Sequence, residues 1–187
     1  MSQSTHTASA TSPMKVASAS LIGTTVEYYD FFIYGTAAAL VFPKLFFPNT
    51  SPLIGALLSF ATLGVGFLAR PVGGIVFGHF GDRVGRKKML VISLVTMGVA
   101  TTLMGLMPSY AVIGLAAPIL LTVLRLVQGF AVGGEWGGAT LMAVEHAPPG
   151  RRGFFGAFPQ MGAPAGVGLA TIAFFLVSQL NPESFLA

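Results

Sequence analysis

Gly78-His79-Phe80-Gly81-Asp82-Arg83-Val84-Gly85-Arg86-Lys87-Lys88 is the stretch from which the rest of the chain is read. It is the densest charge cluster in a chain with only 9% charged residues, and long apolar runs flank it on both sides. A short basic link between two apolar segments is the pattern of a hairpin loop joining two membrane helices. Lys and Arg near helix ends are retained on the cytoplasmic side, so the stretch also orients its neighbours. Its glycines permit a tight reversal. A loop that carried only this topogenic signal has no need of Asp82, nor of glycines at both 81 and 85.

Composition points the same way. Of 187 residues 53% are hydrophobic, and the mean hydropathy is +0.78. A soluble domain of this size is neither so apolar nor so poor in charge. The 24 glycines and 12 prolines fit membrane helices, where small residues let backbones approach closely. A formal charge of +4 raises the question of nucleic acid. The cations sit at the ends of apolar runs rather than on a solvated face, which excludes it. The absence of cysteine excludes disulfides, thiolate metal sites and cysteine catalysis. No nucleophile elbow is present, so no enzyme is expected. His79 and Asp82 alone do not make a metal site, and no cofactor is expected.

Outward from the basic stretch, the apolar runs predict an all-α integral membrane protein with five spanning helices. These cover about 18–40, 53–77, 89–106, 112–142 and 154–180, each with roughly the 20 residues that a bilayer requires. Residues 1–17, rich in Ser, Thr and Ala, read as a disordered cytoplasmic tail. Residues 181–187 read as an outer loop cut short. With the tail inside, Lys15, Arg83, Arg86, Lys87, Lys88, Arg151 and Arg152 are cytoplasmic and only Lys44 is outside. That asymmetry places the N-terminus inside and the last residue outside.

A charge inside an apolar helix is costly and needs a partner or a wet cavity. Glu27 and Asp30 are three apart and share a side of the first helix. At about 1.5 Å per residue they lie roughly 13 to 18 Å from its start, near mid-membrane. Tyr34 adds a hydroxyl nearby. Arg125 lies at comparable depth in the fourth helix, with Gln128 and Gly129 following on its face. It is a candidate partner for either carboxylate, or an anchor for an anionic substrate, since a guanidinium matches a carboxylate with two parallel hydrogen bonds. Asp30, the deeper acid, is the expected proton carrier, and Glu27 the expected partner of Arg125 or of polar groups at the cavity floor. Arg70 is a weaker candidate that could simply snorkel to the surface. The run Gly129 to Gly138 gives the fourth helix small-residue ridges for packing, with Glu135 and Trp136 near an interface. Pro159, Gly162, Pro164, Gly166 and Gly168 read as hinge or packing residues.

Four stretches carry a family likeness: Gly23 to Phe32, Gly78 to Lys88, Arg125 to Phe130 with Gly133 to Gly138, and Arg151-Arg152-Gly153. In these the chain resembles the metabolite:proton symporters of the major facilitator superfamily, which include carriers for shikimate, α-ketoglutarate, citrate and proline/betaine. The resemblance implies alternating access by two six-helix halves around a central cavity, with Glu27, Asp30 and Arg125 facing it. It implies a cytoplasmic latch in which Asp82 caps a helix of the other half, together with Gly78, Gly81, Arg83, Gly85, Arg86, Lys87 and Glu145. The implied partners are a small carboxylate-bearing or zwitterionic metabolite, protons, the bilayer, and a second half or another membrane chain. Three other readings stay open: a non-transporting truncated remnant, a half-transporter that works only when paired, and a facilitator not coupled to protons.

Overall fold

The computed structural model describes residues 12–133, 144, 145 and 147–180. Among them the regular elements are all helices: α1 Pro13–Leu40, α2 Phe42–Phe46, α3 Pro52–Val84, α4 Arg86–Leu106, α5 Tyr110–Ile113, α6 Ala116–Gly133 and α7 Arg152–Leu180. Four of these, α3, α4, α6 and α7, are long and apolar enough to cross a membrane. α1 has 28 residues and meets the length but not the apolar criterion, because Glu27, Asp30 and its tyrosines and threonines dilute the apolar run. The all-α membrane bundle read from the sequence is therefore present, with one of the five expected spans supported by length alone.

Several boundaries differ from the sequence reading. α1 begins at Pro13 rather than near residue 18. Proline opens a helix well, because its missing N–H would have no partner in the first turn. α3 does not stop at Phe77 but continues to Val84, so Gly78, Gly81, Asp82 and Arg83 are helical. A cation in the last turn, Arg83, suits the negative end of the helix dipole. The reversal falls on Gly85 alone, whose φ of 106° is one that residues with a Cβ avoid. Its N–H closes the helix on Gly81 O at 3.0 Å. The fourth expected helix is split: Tyr110–Ile113 is a separate turn, ended by Gly114 at φ 58°. Its remainder beyond Gly133, including Glu135 and Trp136, lies outside the described residues, as do residues 1–11 and 181–187.

Small residues set the helix pairing. Gly129 and Gly133 of α6 lie directly on α3, against Gly66 and against Arg70 and Gly74, while Gly73 of α3 lies on the carbonyl of Phe130. A Cβ at Gly73, Gly129 or Gly133 would collide with backbone. α7 lies along α1 in the same manner: a Cβ at Gly162 would come within 2.7 Å of Thr24 Cβ, and one at Gly166 within 2.5 Å of Thr25 O. Glycines four apart bring helix backbones together where lipid supplies no hydrophobic drive. α4 joins α6, where Ser93 Oγ donates to Ala131 O at 2.7 Å.

The bundle is polar within and apolar without. Ser20, Thr24, Glu27, Asp30, Ser59, Thr62, Ser93, Arg125 and Gln128 are buried, whereas Leu53, Leu68, Ile75, Ile119, Ile172 and Phe175 are exposed. In water that distribution would be unstable, but in lipid it is the expected one. At one end, Tyr34, Ala38, Phe46, Met104, Ala117 and Leu121 form an apolar plug that ties α1, α2, α4 and α6 together.

Candidate functional site

The intramembrane charges named from the sequence fall into two ion pairs. Asp30 pairs with Arg125: Arg125 NH1 lies 3.3 Å from Asp30 Oδ2, and both side chains are at most one-tenth exposed. Glu27 pairs with Arg70, whose NH1 lies 3.3 Å from Glu27 Oε1; Glu27 is buried while Arg70 is about one-third exposed. The expected pairing of Glu27 with Arg125 is thus reversed. Residues three apart on a helix are offset by roughly 60°, and here that offset turns Asp30 toward α6 and α4 and Glu27 toward α3. Arg70 does more than snorkel, since it neutralises a buried acid and stacks on Phe67 at 4.7 Å.

The Asp30 pair is embedded in a closed network. Gln128 Nε2 donates to Asp30 Oδ2 at 2.5 Å and to Thr101 Oγ1 at 2.8 Å. Gln128 Oε1 accepts from Arg125 NH1. Thr101 Oγ1 lies 2.6 Å from Asp30 Oδ1 and 2.9 Å from Met97 O, with its proton free to serve either. Arg125 also sits over the ring of Tyr34 at 4.0 Å. The Tyr34 hydroxyl shares a 2.5 Å hydrogen bond with Thr62 Oγ1, which donates to Ser59 O at 2.6 Å. One carboxylate thus gathers α1, α4 and α6, and the Tyr34–Thr62 bond ties α3 to α1. Gly66 makes room for this: a Cβ there would stand 3.1 Å from Arg125 Cγ and Nε.

Thr101 was not singled out by sequence. A threonine in an apolar helix carries no signal by itself, and its role appears only when α4 is laid against α1. Two spaces flank the pairs. One of about 340 Å³ is lined by Glu27, Tyr28, Phe31, Phe67 and Arg70. Another of about 410 Å³ is lined by Asp30, Thr101, Tyr29 and Tyr34, with Met104 and Phe174 among its apolar walls.

The basic stretch stands apart from these pairs. Gly78, Asp82 and Arg83 are exposed in the last turns of α3, Gly81 is buried there, and Arg86 and Lys87 open α4. Glu145 is exposed. Cations in the first turn of a helix oppose its dipole, so Arg86, Lys87 and Lys88 add nothing to the stability of that end of α4. Among the described residues no group of three metal-ligating side chains occurs.

The model of the sugar (and other) transporter family matches residues 15–185. This chain belongs to that family. It is a family of transporters, not enzymes, and the likeness to the major facilitator superfamily read from the four motifs is borne out. The chain is 55% identical over 174 residues to the inner membrane metabolite transport protein YhjE of Escherichia coli, covering 92% of this chain and 40% of that protein. It is 52% identical to the shikimate transporter of E. coli, with the same coverage. It is 42% identical over 173 residues to the proline/betaine transporter of Salmonella typhimurium, covering 92% of this chain and 34% of that one. The chain therefore spans about two-fifths of the length of these relatives. No solved structure matches it. With its apolar helices, the family membership makes it a multi-pass membrane protein.

Proposed function

We propose that this chain forms the first helical bundle of a proton-coupled carrier for a small carboxylate-bearing or zwitterionic metabolite. The observation that carries the reading is the buried Asp30 carboxylate, held by one cation, one amide and one hydroxyl from two other helices. An acid so placed can alternate between a charged form locked to Arg125 and a neutral form that releases it. Loss of that lock lets α1 and α6 shift relative to each other, which is how proton binding would be converted into movement.

The substrate end of the reading rests on Arg70 rather than Arg125. Arg70 keeps about one-third of its side chain exposed, against 6% for Arg125. It borders the 340 Å³ space with Tyr28, Phe31 and Phe67. A substrate carboxylate there would replace Glu27 on the guanidinium while the aromatic walls hold its apolar part. Shikimate, proline and betaine, named for the relatives, all carry a carboxylate.

The carrier works by alternating access, rocking against a second bundle supplied by the complete polypeptide or by another membrane chain. Its N-terminus is cytoplasmic, as the Lys/Arg asymmetry requires. Gly78, Gly81, Asp82, Arg83, Gly85, Arg86, Lys87 and Glu145 form the cytoplasmic latch between the bundles.

The test is uptake of radiolabelled shikimate, proline and betaine into proteoliposomes holding the complete polypeptide, with and without an inward proton gradient. Accumulation driven by the gradient, lost in Asp30→Asn while exchange of preloaded substrate persists, is the expected result. Exchange needs binding and rocking but no net proton movement. An Asp30→Asn carrier that still concentrates substrate places coupling elsewhere, and a polypeptide with neither uptake nor exchange is a non-transporting remnant.

A further inference from the structure

The hydrogen bonds around Asp30 specify more than that it takes a proton. Gln128 Oε1 accepts from Arg125, so both amide hydrogens of Gln128 are committed, one to Asp30 Oδ2 and one to Thr101 Oγ1. Arg125 also approaches Oδ2. Neither group can accept a hydrogen bond on that side, because an Arg N–H and a Gln Nε2–H are donors only. A proton arriving at Oδ2 would face two donors. Oδ1 faces a single hydroxyl, that of Thr101 at 2.6 Å.

We propose that Thr101 is a positioning residue for proton binding at Asp30, directing the proton to Oδ1 by reversing its own hydrogen bond. A threonine hydroxyl has one hydrogen and two acceptor lone pairs. With Asp30 charged, the Thr101 hydrogen points to Oδ1 and one lone pair accepts from Gln128. When a proton from the aqueous phase forms the O–H bond at Oδ1, that O–H donates to the second lone pair. The Thr101 hydrogen then turns to Met97 O, already within 2.9 Å. Gln128 is undisturbed, and the donors of Thr101, Gln128 and Asp30 each have an acceptor in both states. The net change is one proton gained and one negative charge lost beside Arg125.

The side from which the proton comes is set by the same geometry. Asp30 and Thr101 together line the 410 Å³ space, which runs beside Ala37 and Gly105 near the ends of α1 and α4. The other ionisable groups near Asp30 are Glu27, Tyr29 and Tyr34 of α1, Arg70 of α3 and Arg125 of α6. The cations of α4 and α7, Arg86, Lys87, Lys88 and Arg152, stand in their first turns, well over ten residues from Thr101 or Phe174. Among the atoms hydrogen-bonded to Asp30, Thr101 Oγ1 is thus the one that can both give and take a hydrogen bond without a change of charge.

This inference rests on the reading of Asp30 as the proton site, and infrared titration separates the two. The complete polypeptide in liposomes is titrated from acid to alkaline pH, and the carboxyl band lost in Asp30→Asn is assigned to Asp30. In Thr101→Val the carboxylate loses a charge-assisted donor, so the titration midpoint of that band rises by about one pH unit, a tenfold change in proton affinity. Thr101→Ser restores it and Thr101→Ala repeats the rise, both checked for unchanged helicity. An Asp30 band whose midpoint in Thr101→Val and Thr101→Ala equals that of the unsubstituted protein overturns the role of Thr101 and leaves the proton site standing. A Thr101→Ser carrier that behaves like Thr101→Val overturns it as well. Absence of any titrating Asp30 band overturns both readings together.

Discussion

Asp30 and Arg125 meet at 3.3 Å across 95 residues of sequence, in a site where both side chains are at most one-tenth exposed. Taking two charges out of water is expensive, and their attraction repays the cost only when the remaining hydrogen bonds are made as well. Gln128 and Thr101 make those of the carboxylate, while Arg125 Nε is buried without a hydrogen-bond partner among the described residues. Arg125→Ala and Asp30→Ala each leave one buried charge unmatched and are expected to cost about 3–5 kcal/mol. The Asp30→Ala/Arg125→Ala pair is expected to cost less than the sum of the singles. Thermal unfolding of the four proteins in detergent measures this, and additive losses would remove the pair from the account of stability.

Arg125→Lys keeps the charge and loses the planar fork. A lysine has no flat face for Tyr34 and no fixed pair of N–H groups to divide between Asp30 and Gln128. The lysine carrier is expected to insert normally and to transport at least tenfold more slowly. Wild-type turnover in proteoliposomes would mean that charge alone suffices.

The α3–α6 contact gives a prediction about packing. Gly73→Ala puts a methyl group into the carbonyl of Phe130, while Gly64→Ala meets nothing within 4 Å. Overpacking of a close contact costs about 1–3 kcal/mol, and because the obstacle is backbone, the upper end is expected for Gly73→Ala. Gly64→Ala should be neutral. Equal melting temperatures for the two variants would show that the helices do not cross where Gly73 and Phe130 place them.

Much of this was legible in the chain before folding. Apolar runs and Lys/Arg placement identify a membrane bundle, because lipid leaves few alternatives to the helix. The intramembrane charges stand out because they are rare there. The partner of each charge was not legible: spacing puts Glu27 and Asp30 on one side of α1 but does not say which faces α3 and which faces α6. Thr101 was invisible for the same reason, its value lying in the contact between α4 and α1. The length of α3 was hidden by the charges at Asp82 and Arg83, which end an apolar run without ending a helix.

Orientation has its own test. The chain has no cysteine, so single cysteines can be introduced one at a time. Positions 79 and 152 should be protected from an impermeant reagent applied outside, and positions 49 and 183 should react. Outside labelling at position 79 reverses the topology and with it the cytoplasmic placement of the latch.

The final prediction separates the two ion pairs by function. Glu27 and Arg70 border the 340 Å³ space, and Arg70 is exposed enough to meet a ligand. Asp30 and Arg125 are more deeply buried than Arg70. If Glu27 holds Arg70 until a substrate carboxylate takes its place, Glu27→Gln removes a competitor, because a neutral amide binds guanidinium less tightly than a carboxylate does. Substrate affinity should then rise several-fold while uptake still follows the proton gradient. Arg70→Lys should lower affinity about tenfold, since a point charge replaces a two-pronged donor. Changes at Asp30 should instead abolish gradient-driven accumulation with little effect on substrate binding. Equilibrium binding of radiolabelled substrate, set beside gradient-driven uptake for the same variants, reads both quantities. A Glu27→Gln carrier that loses coupling but keeps wild-type affinity would exchange the roles assigned to the two acids.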